Sequence, residues 1–163
     1  MNFGRLHYGS PSYGYISKSY LVFKKLVPDD DGVWHINTES GEYKLIISFK
    51  QIYEFDFKEN FKNSFHYVNH LKFNPNEKRF VFLHRWNHEG GWHPEGCNFT
   101  RMITAKIDGS DLYCLSDCEM VSHFTWKDNK YILAWARQPI DKDYFYLFKD
   151  KTKEVKVVGK KYF

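Results

Sequence analysis

Apolar and polar residues alternate with a period of two along most of this chain, a pattern typical of β-strands that bury one face. The alternation is clearest in HLKFNPNEKRFVFLHR at 70–85 and in HFTWKDNKYILAWAR at 123–137. Each stretch predicts a strand, a polar turn and a second strand, which together form a β-hairpin. The two stretches align when a one-residue gap is allowed, and His70 then corresponds to His123.

The match continues beyond the hairpins and indicates a repeat. TRMITAKIDGSDLYCLSD follows the first hairpin and DYFYLFKDKTKEVKVVG follows the second, and each again predicts strand, turn and strand. The earlier GVWHINTESGEYKLIIS has the same form. Asp108-Gly109 and Ser40-Gly41 supply the positive φ that tight hairpin turns need. Four antiparallel strands in roughly 50 residues have the size of a β-propeller blade.

We therefore expect an all-β fold of antiparallel four-stranded blades, a partial (truncated) β-propeller, with a β-sandwich of hairpins as the alternative. A single all-β domain spans 1–163 in this prediction, with a partial blade at 18–56 and full blades at 66–118 and 119–163. Helical periodicity is weak, and only residues 49–62 predict a helical turn or an irregular loop.

The small number of blades raises a physical difficulty. Closed propellers have about 4–8 blades, so a chain with about three leaves sheet faces and edge strands uncovered. Three solutions are open: a fragment of a longer propeller, a homo-oligomer that completes a ring, or an open and shortened sheet structure. The first 16 residues, MNFGRLHYGSPSYGYI, read as a linker that enters a propeller midway, which favours a truncated descendant.

Composition and charge narrow the expected partners. An aromatic content of 20% favours strands. The net charge of +4 is spread along the 163 residues without a basic run, so we expect no nucleic-acid partner. No apolar run approaches the ~18 residues of a membrane span and no secretory signal is recognisable, so we expect no membrane partner. Cys97, Cys114 and Cys118 lack disulfide, zinc or redox spacing, which favours a cytoplasmic location and incidental cysteines.

The repeated histidines have two interpretations. The innermost strand of a propeller blade lines the channel, so His70 and His123 are expected to start equivalent strands at one mouth. Two imidazoles placed in this way can converge on a divalent metal ion or an anion. In the alternative, each histidine hydrogen-bonds the backbone of a neighbouring blade and fixes the junction between blades.

A long insertion in the 66–118 blade offers further candidates. HRWNHEGGWHPEGCNFTR at 84–101 stands where the last blade has the shorter RQPIDKDY, and loops at hairpin tips commonly carry function. Tryptophan and histidine suit stacking on a sugar ring, and the planar arginine fork suits a carboxylate. Alternatives are a loop packed by its own tryptophans and internal salt bridges or cation–π contacts. The candidate ligand-binding residues are His84, Arg85, Trp86, His88, Trp92, His93, Arg101 and Arg137.

Several short motifs carry a family resemblance. They are a His-x-x-Phe-x-Pro opening, a histidine at the end of the next strand, an Arg-Met pair, an Asp-Gly-Ser turn and a second histidine opening. They stand at His70, Phe73 and Pro75; at His84; at Arg101 and Met102; at Asp108, Gly109 and Ser110; and at His123. This set resembles the TolB-like propellers, and most of all the oligogalacturonate lyase type. The resemblance implies a manganese or other divalent ion held by histidines, here His70 and His123, and β-elimination on acidic pectin oligomers.

Three functions are expected from these features. The first is a non-catalytic propeller segment that binds a glycan, such as an acidic oligosaccharide, or a protein partner at the channel mouth. The second is a metal-dependent lyase, in which His70 and His123 hold the ion and an arginine neutralises the uronate carboxylate. The third is a structural piece that closes a ring with copies of itself. No residue is assigned a catalytic role.

Overall fold

The computed structural model describes residues 4–8, 27–88, 99–139 and 142–162. In these residues three antiparallel sheets follow one another along the chain. Residues 4–8, expected to belong to a linker, instead form a strand of the first sheet. The first sheet consists of β1 (Gly4–Tyr8), β2 (Gly32–Asn37) and β3 (Tyr43–Ser48). The middle sheet consists of β4 (Ser64–Phe73), β5 (Arg79–His88), β6 (Phe99–Lys106) and β7 (Tyr113–Ser116). The last sheet consists of β8 (Val121–Trp126), β9 (Tyr131–Gln138), β10 (Lys142–Lys149) and β11 (Val155–Val158).

The predicted all-β, antiparallel four-stranded organisation is confirmed for the middle and last sheets, in which each strand pairs with the next along the chain. The Asp108-Gly109 turn forms between β6 and β7, with Gly109 at a φ of +86°. A Cβ atom there would lie 2.0 Å from the Ile46 carbonyl oxygen, so this turn abuts β3 of the first sheet. No described sheet closes on itself.

Short helical segments lie where the sequence predicts a helical turn. Helix α1 spans Phe49–Glu54, and a 3-10 turn spans Glu59–Phe61. A further 3-10 turn, at Lys160–Tyr162, was not predicted. Ser48 and Gln51 form a reciprocal capping box at the start of α1, which satisfies backbone donors that the helix leaves open. No helix among the described residues is long and apolar enough to cross a membrane.

The middle sheet is buried on both faces. Phe80 and Phe82 of β5 face the first sheet and α1, whereas Val81 and Leu83 face the last sheet. All four are fully buried. Because successive side chains of a strand point to opposite faces, the continuous apolar run in β5 indicates a strand covered on both sides.

Polar contacts also join the middle sheet to the last sheet. Arg79 of β5 donates to Asp150 and to Asp111, each at 2.7 Å, and Thr104 donates to Asp150 at 2.6 Å. The first strands of the two sheets lie side by side, since Trp126 donates its indole N–H to the Lys72 carbonyl oxygen at 3.0 Å. These contacts fix β4 beside β8, which positions the site described below.

Candidate functional site

Two polar clusters occupy opposite faces of the β4–β5 hairpin. His84 and Arg85 are neighbours in β5, so their side chains point to opposite faces of the middle sheet. The cluster around His84 lies toward α1 and is called the buried network. The cluster around Arg85 lies toward the last sheet and is called the Arg85 cluster.

The buried network is a chain of hydrogen bonds with a fixed direction. Arg101 Nε lies 2.9 Å from His84 Nδ1, His84 Nε2 lies 2.9 Å from His66 Nδ1, and His66 Nε2 lies 3.1 Å from the Phe61 carbonyl oxygen. Arginine only donates and a carbonyl only accepts. Both imidazoles are therefore neutral with the proton on Nε2, and each accepts on Nδ1 while it donates from Nε2.

Desolvation keeps both imidazoles neutral. Burial lowers the pKa of His66 to about 4, and a hydrogen bond to the Phe61 carbonyl opposes this only in part. Burial lowers the pKa of His84 well below its usual range, and the charge of Arg101 lowers it further. The network therefore contains one permanent cation and two neutral rings at neutral pH.

Arg101 links the network to α1 and the residues that follow it. Its terminal nitrogens donate to the carbonyl oxygens of Ile52 at 2.7 Å and Asp56 at 3.2 Å, and its guanidinium lies 4.8 Å from the centre of the Phe61 ring. Among the described residues no carboxylate forms an ion pair with it; backbone oxygens and aromatic faces stabilise the charge. Arg101 therefore holds residues 52–61 on the middle sheet.

This geometry bears on three predicted ligand-binding residues. His84, Arg101 and Trp86 have no exposed surface, and Trp86 stacks on Phe99 with ring centres 5.6 Å apart. Their side chains offer a ligand no accessible surface in this structure. They contribute to the packing of this end of the sheet.

The Arg85 cluster lies on the opposite face. Tyr67 stands directly across from Arg85, and Asn69 follows Tyr67 on the same face of β4. Burial raises the pKa of Tyr67, while the charge of Arg85 and a hydrogen bond from it act in the opposite direction. Burial lowers the pKa of His70, and the charges of Arg85 and His123 lower it further. Tyr67, His70, Arg85 and His123 are thus close enough to affect one another.

Two polar atoms in this cluster are buried without a hydrogen-bond partner: the Arg85 Nε donor and the Asn69 Oδ1 acceptor. An unpaired buried polar atom is rare and costs about 1–3 kcal/mol. Here one unpaired donor and one unpaired acceptor lie on the same face of one hairpin. A ligand or a bound water that both accepts and donates hydrogen bonds would satisfy the pair.

The expectation that His70 and His123 start equivalent strands is wrong, because β4 begins at Ser64 and β8 at Val121. Their correspondence within the two strands has a structural basis. The pairing of β4 with β5 shifts register between Asn69 and Lys72, and the pairing of β8 with β9 shifts between Val121 and Phe124. Each histidine therefore lies in a β-bulge, and both are exposed. Bulges commonly redirect a side chain next to a functional site. Ser122 Oγ lies 2.7 Å from His123 Nδ1 and orients that ring.

The described residues do not supply a complete metal site. No group of three or more His, Cys, Asp or Glu side chains within them could hold an ion. His70 and His123 are two ligands at most, and the guanidinium of Arg85 beside them disfavours a cation. A manganese ion at these histidines stays a prediction.

Among the remaining predicted residues, Arg137 has a carboxylate partner of its own. Arg137, which corresponds to Arg85 in the repeat, donates to both carboxylate oxygens of Asp143 at 2.8 and 3.0 Å. His88 ends β5. Trp92 and His93 lie outside the described residues, so their part in ligand binding stays a prediction.

A cleft of about 340 Å³ lies elsewhere, between residues 56–58 and the end of β7. Lys58 forms an ion pair with Asp117 at 3.3 Å across it. Burial raises the pKa of Cys114 to about 11, so its thiol is protonated at neutral pH. The lining has charges of both signs and an unreactive thiol, and it does not include the Arg85 cluster.

Sequence reasoning missed Tyr67, Asn69 and His66. Their signal was present in the alternation of SFHYVNH, residues 64–70, which places 66 and 68 on one face and 67 and 69 on the other.

Comparisons with protein-family models, with curated proteins and with solved structures found no significant match to this chain.

Proposed function

We propose that the three sheets are successive blades of a partial β-propeller and that the Arg85 cluster binds an acidic oligosaccharide without chemical conversion. Support for the blades comes from the order of the sheets and from their first strands, since β4 contacts both β1 and β8. The observation that carries the binding proposal is the half-buried guanidinium of Arg85, which lies beside Tyr67 and close to the exposed imidazole of His70.

A sugar acid suits this arrangement better than other anions. Its carboxylate accepts hydrogen bonds from the half-buried guanidinium of Arg85. Asn69 Oδ1 is shielded in the ligand-free structure, so a sugar hydroxyl donates to it only once the Asn69 side chain turns outward. Inorganic phosphate offers mainly acceptors, so it leaves the Asn69 oxygen unpaired. The exposed imidazoles of His70 and His123 add donors and acceptors for neighbouring hydroxyl groups. The ring of Tyr67 offers an apolar surface to the face of the sugar.

The test is a calorimetric titration of the full chain with trigalacturonate, with its fully methyl-esterified form and with inorganic phosphate. We expect binding of the acid and at least tenfold weaker binding of the ester, because esterification removes the charge that faces Arg85. Equal affinity for the acid and the ester would refute carboxylate recognition. Binding of phosphate as tight as that of the sugar acid would reduce the site to a simple anion site.

A second candidate, β-elimination on the same class of substrate, has one specific observation in its favour. His70 is exposed, and its lowered pKa keeps the imidazole neutral at neutral pH. A neutral imidazole can take the proton from the carbon next to the carboxylate, while a C=C bond forms, the bond to the leaving sugar oxygen breaks and that oxygen takes a proton from water. Incubation with polygalacturonate, with and without Mn²⁺, tests this directly. Absence of ultraviolet-absorbing unsaturated product under both conditions excludes the lyase.

A further inference from the structure

The segment between α1 and β4 crosses the buried network with little burial of its own. We call residues 55–63 the strap; it contains the 3-10 turn Glu59–Phe61. Of the residues in the strap, all of them described, Phe61 is the one that is buried. A segment with few buried apolar contacts opens at a lower free energy than the sheets beside it.

The strap bends near both of its ends. Asp56 has a φ of +46° and Asn63 a φ of +55°, in the left-handed region that aspartate and asparagine tolerate better than most residues do. Residues at the ends of elements commonly absorb the change in backbone angles when a segment moves. These two bends are the positions at which the strap can move without a change in β4.

Phe61 anchors the strap on the side chains of the buried network. Its ring centre lies 5.3 Å from that of His66 and 5.5 Å from that of His84, and its carbonyl oxygen accepts from His66 Nε2. Arg101 lies over the same ring and donates to the Asp56 carbonyl oxygen at 3.2 Å. The three side chains that bond to one another in the network therefore also hold the strap on the middle sheet.

The fixed direction of the network leaves no place for an added proton. A proton added to His66 occupies Nδ1, which then faces the Nε2–H of His84 at 2.9 Å, so that two donors meet. A change of tautomer in His84 would move its proton to Nδ1, where Arg101 Nε already donates. Because arginine cannot accept a hydrogen bond, the network takes up a proton only by breaking one of these bonds.

The surrounding groups do not compensate such a charge. The titratable groups that face the network from neighbouring elements are Tyr53 of α1, Asp56 of the strap, Cys114 of β7 and Asp117 after β7. None of these four side chains hydrogen-bonds to His66 or His84 in the described part of the chain. Arg101 adds a positive charge, and burial together with this charge lowers the pKa of His66.

We propose that the buried network is an acid-sensitive latch: a proton that enters it breaks the hydrogen bond between His66 and His84, and the strap leaves the middle sheet while the three sheets remain folded. Release withdraws Phe61 from the histidine rings and gives those rings access to water. It also removes residues 56–58 from the wall of the cleft beside β7 and separates Lys58 from Asp117. The latch lies on the sheet face opposite the Arg85 cluster, so it is independent of the oligosaccharide proposal.

Amide hydrogen exchange of the full chain tests the latch, after correction for the intrinsic dependence of exchange on pH. The amides of Phe61 and Lys62 donate to carbonyl oxygens within the strap and report on it, and the amides of β9 report on the sheets. His66 regains its ordinary pKa of 6.5 from about 4 on release. We therefore expect strap protection to fall at least about 20-fold from about pH 7 to about pH 5, while β9 protection is unchanged.

Two outcomes of this measurement would overturn the proposal. An equal fall of protection in the strap and in β9 would mean that acid unfolds the whole chain. Strap protection that does not change with pH would mean that the network is no latch. The comparison uses the unaltered chain alone, so it stands even where a variant does not fold.

Two histidine variants separate the latch from a general effect of acid. His66→Asn keeps an acceptor for His84 Nε2 but has no ring to protonate, and His35→Asn removes a half-buried histidine of β2. We expect the fall in strap protection to be about 20-fold smaller in His66→Asn than in the unaltered chain, and unchanged in His35→Asn. A fall in His66→Asn as large as that of the unaltered chain, or an equal reduction in both variants, would overturn the assignment of His66 as the proton acceptor.

Discussion

The two faces of the β4–β5 hairpin carry similar residue types with opposite outcomes. In the buried network, His84 and His66 each use both ring nitrogens, and Arg101 reaches three acceptors. In the Arg85 cluster, Arg85 Nε and an oxygen of Asn69 have no partner. A fully satisfied polar network fixes a structure, whereas an incompletely satisfied one is unstable unless something else completes it. The indole N–H of Trp86, which packs on His84, is also without a partner. The difference between the two clusters is therefore that the hydrogen bonds of His66, His84 and Arg101 are made within the protein, whereas the Arg85 cluster has its unpaired atoms beside exposed imidazoles.

The largest expected effect comes from breaking the buried network at its cation. Arg101→Met removes the donor to His84 Nδ1 and to the Ile52 carbonyl oxygen, and each is then buried without that partner at about 1–3 kcal/mol. It also removes the donor to the partly exposed Asp56 carbonyl oxygen, at a smaller cost. We expect the free energy of unfolding in urea to fall by about 3 kcal/mol or more. Arg137→Met is the matched control, because its ion pair is partly exposed and worth less than about 1 kcal/mol. Equal losses in the two variants would show that the network does not hold residues 52–61 in place.

Acid is the second way to break the network. The folded-state pKa of His66, about 4, lies below its unfolded value of 6.5, so the unfolded chain binds the proton more readily. The stability from neutral His66 is complete above pH 6.5 and is lost as the pH falls toward 4. The shift corresponds to roughly 3 kcal/mol, and His84 acts in the same direction.

Urea unfolding at several pH values measures this loss. His66→Asn keeps an acceptor for His84 Nε2 but has no ring to protonate. We expect its stability to fall less steeply with pH than that of the unaltered chain. Identical slopes for the two proteins would mean that protonation of His66 does not contribute to the acid sensitivity.

A smaller effect of opposite sign is expected in the Arg85 cluster. Asn69→Leu removes an unpaired buried acceptor, so we expect the ligand-free protein to gain up to about 1 kcal/mol in stability. The same substitution removes the acceptor for a sugar hydroxyl, so affinity for trigalacturonate falls. Thermal unfolding and calorimetric titration of one preparation measure both quantities. A loss of stability would mean that Asn69 already has a partner in the ligand-free protein.

Much of the fold could be predicted from the sequence, because strands and turns are local. The alternation placed the hairpins of β4–β5 and β8–β9, Gly109 marked its turn, and weak helical character marked 49–62. The clusters could not be predicted in the same way. Period-two alternation puts His84 and Arg85 on opposite faces but does not say which face residues 52–61 cover. That depends on the contacts from Arg101 to Ile52 and Asp56, which join residues far apart in the chain.

The sequence repeat predicts which residues occupy corresponding positions, but it does not predict which partners their side chains have. Arg85 and Arg137 align in sequence, and only the structure shows that Asp143 engages one while the Nε of the other is unpaired. A carboxylate directly opposite Arg137 on the neighbouring strand β10 decides the difference, and alignment of β5 with β9 carries no information about it.

The most direct test of the account compares these two arginines in one binding experiment. Arg85→Met and Arg137→Met remove the same group from corresponding positions of the repeat, and trigalacturonate is titrated into each by calorimetry. We predict that Arg85→Met weakens binding about 10- to 100-fold, the range of a charge-assisted hydrogen bond, and that Arg137→Met binds as the unaltered chain does. Unchanged affinity in Arg85→Met, or an equal loss in both variants, would contradict the assignment of the Arg85 cluster as the binding site.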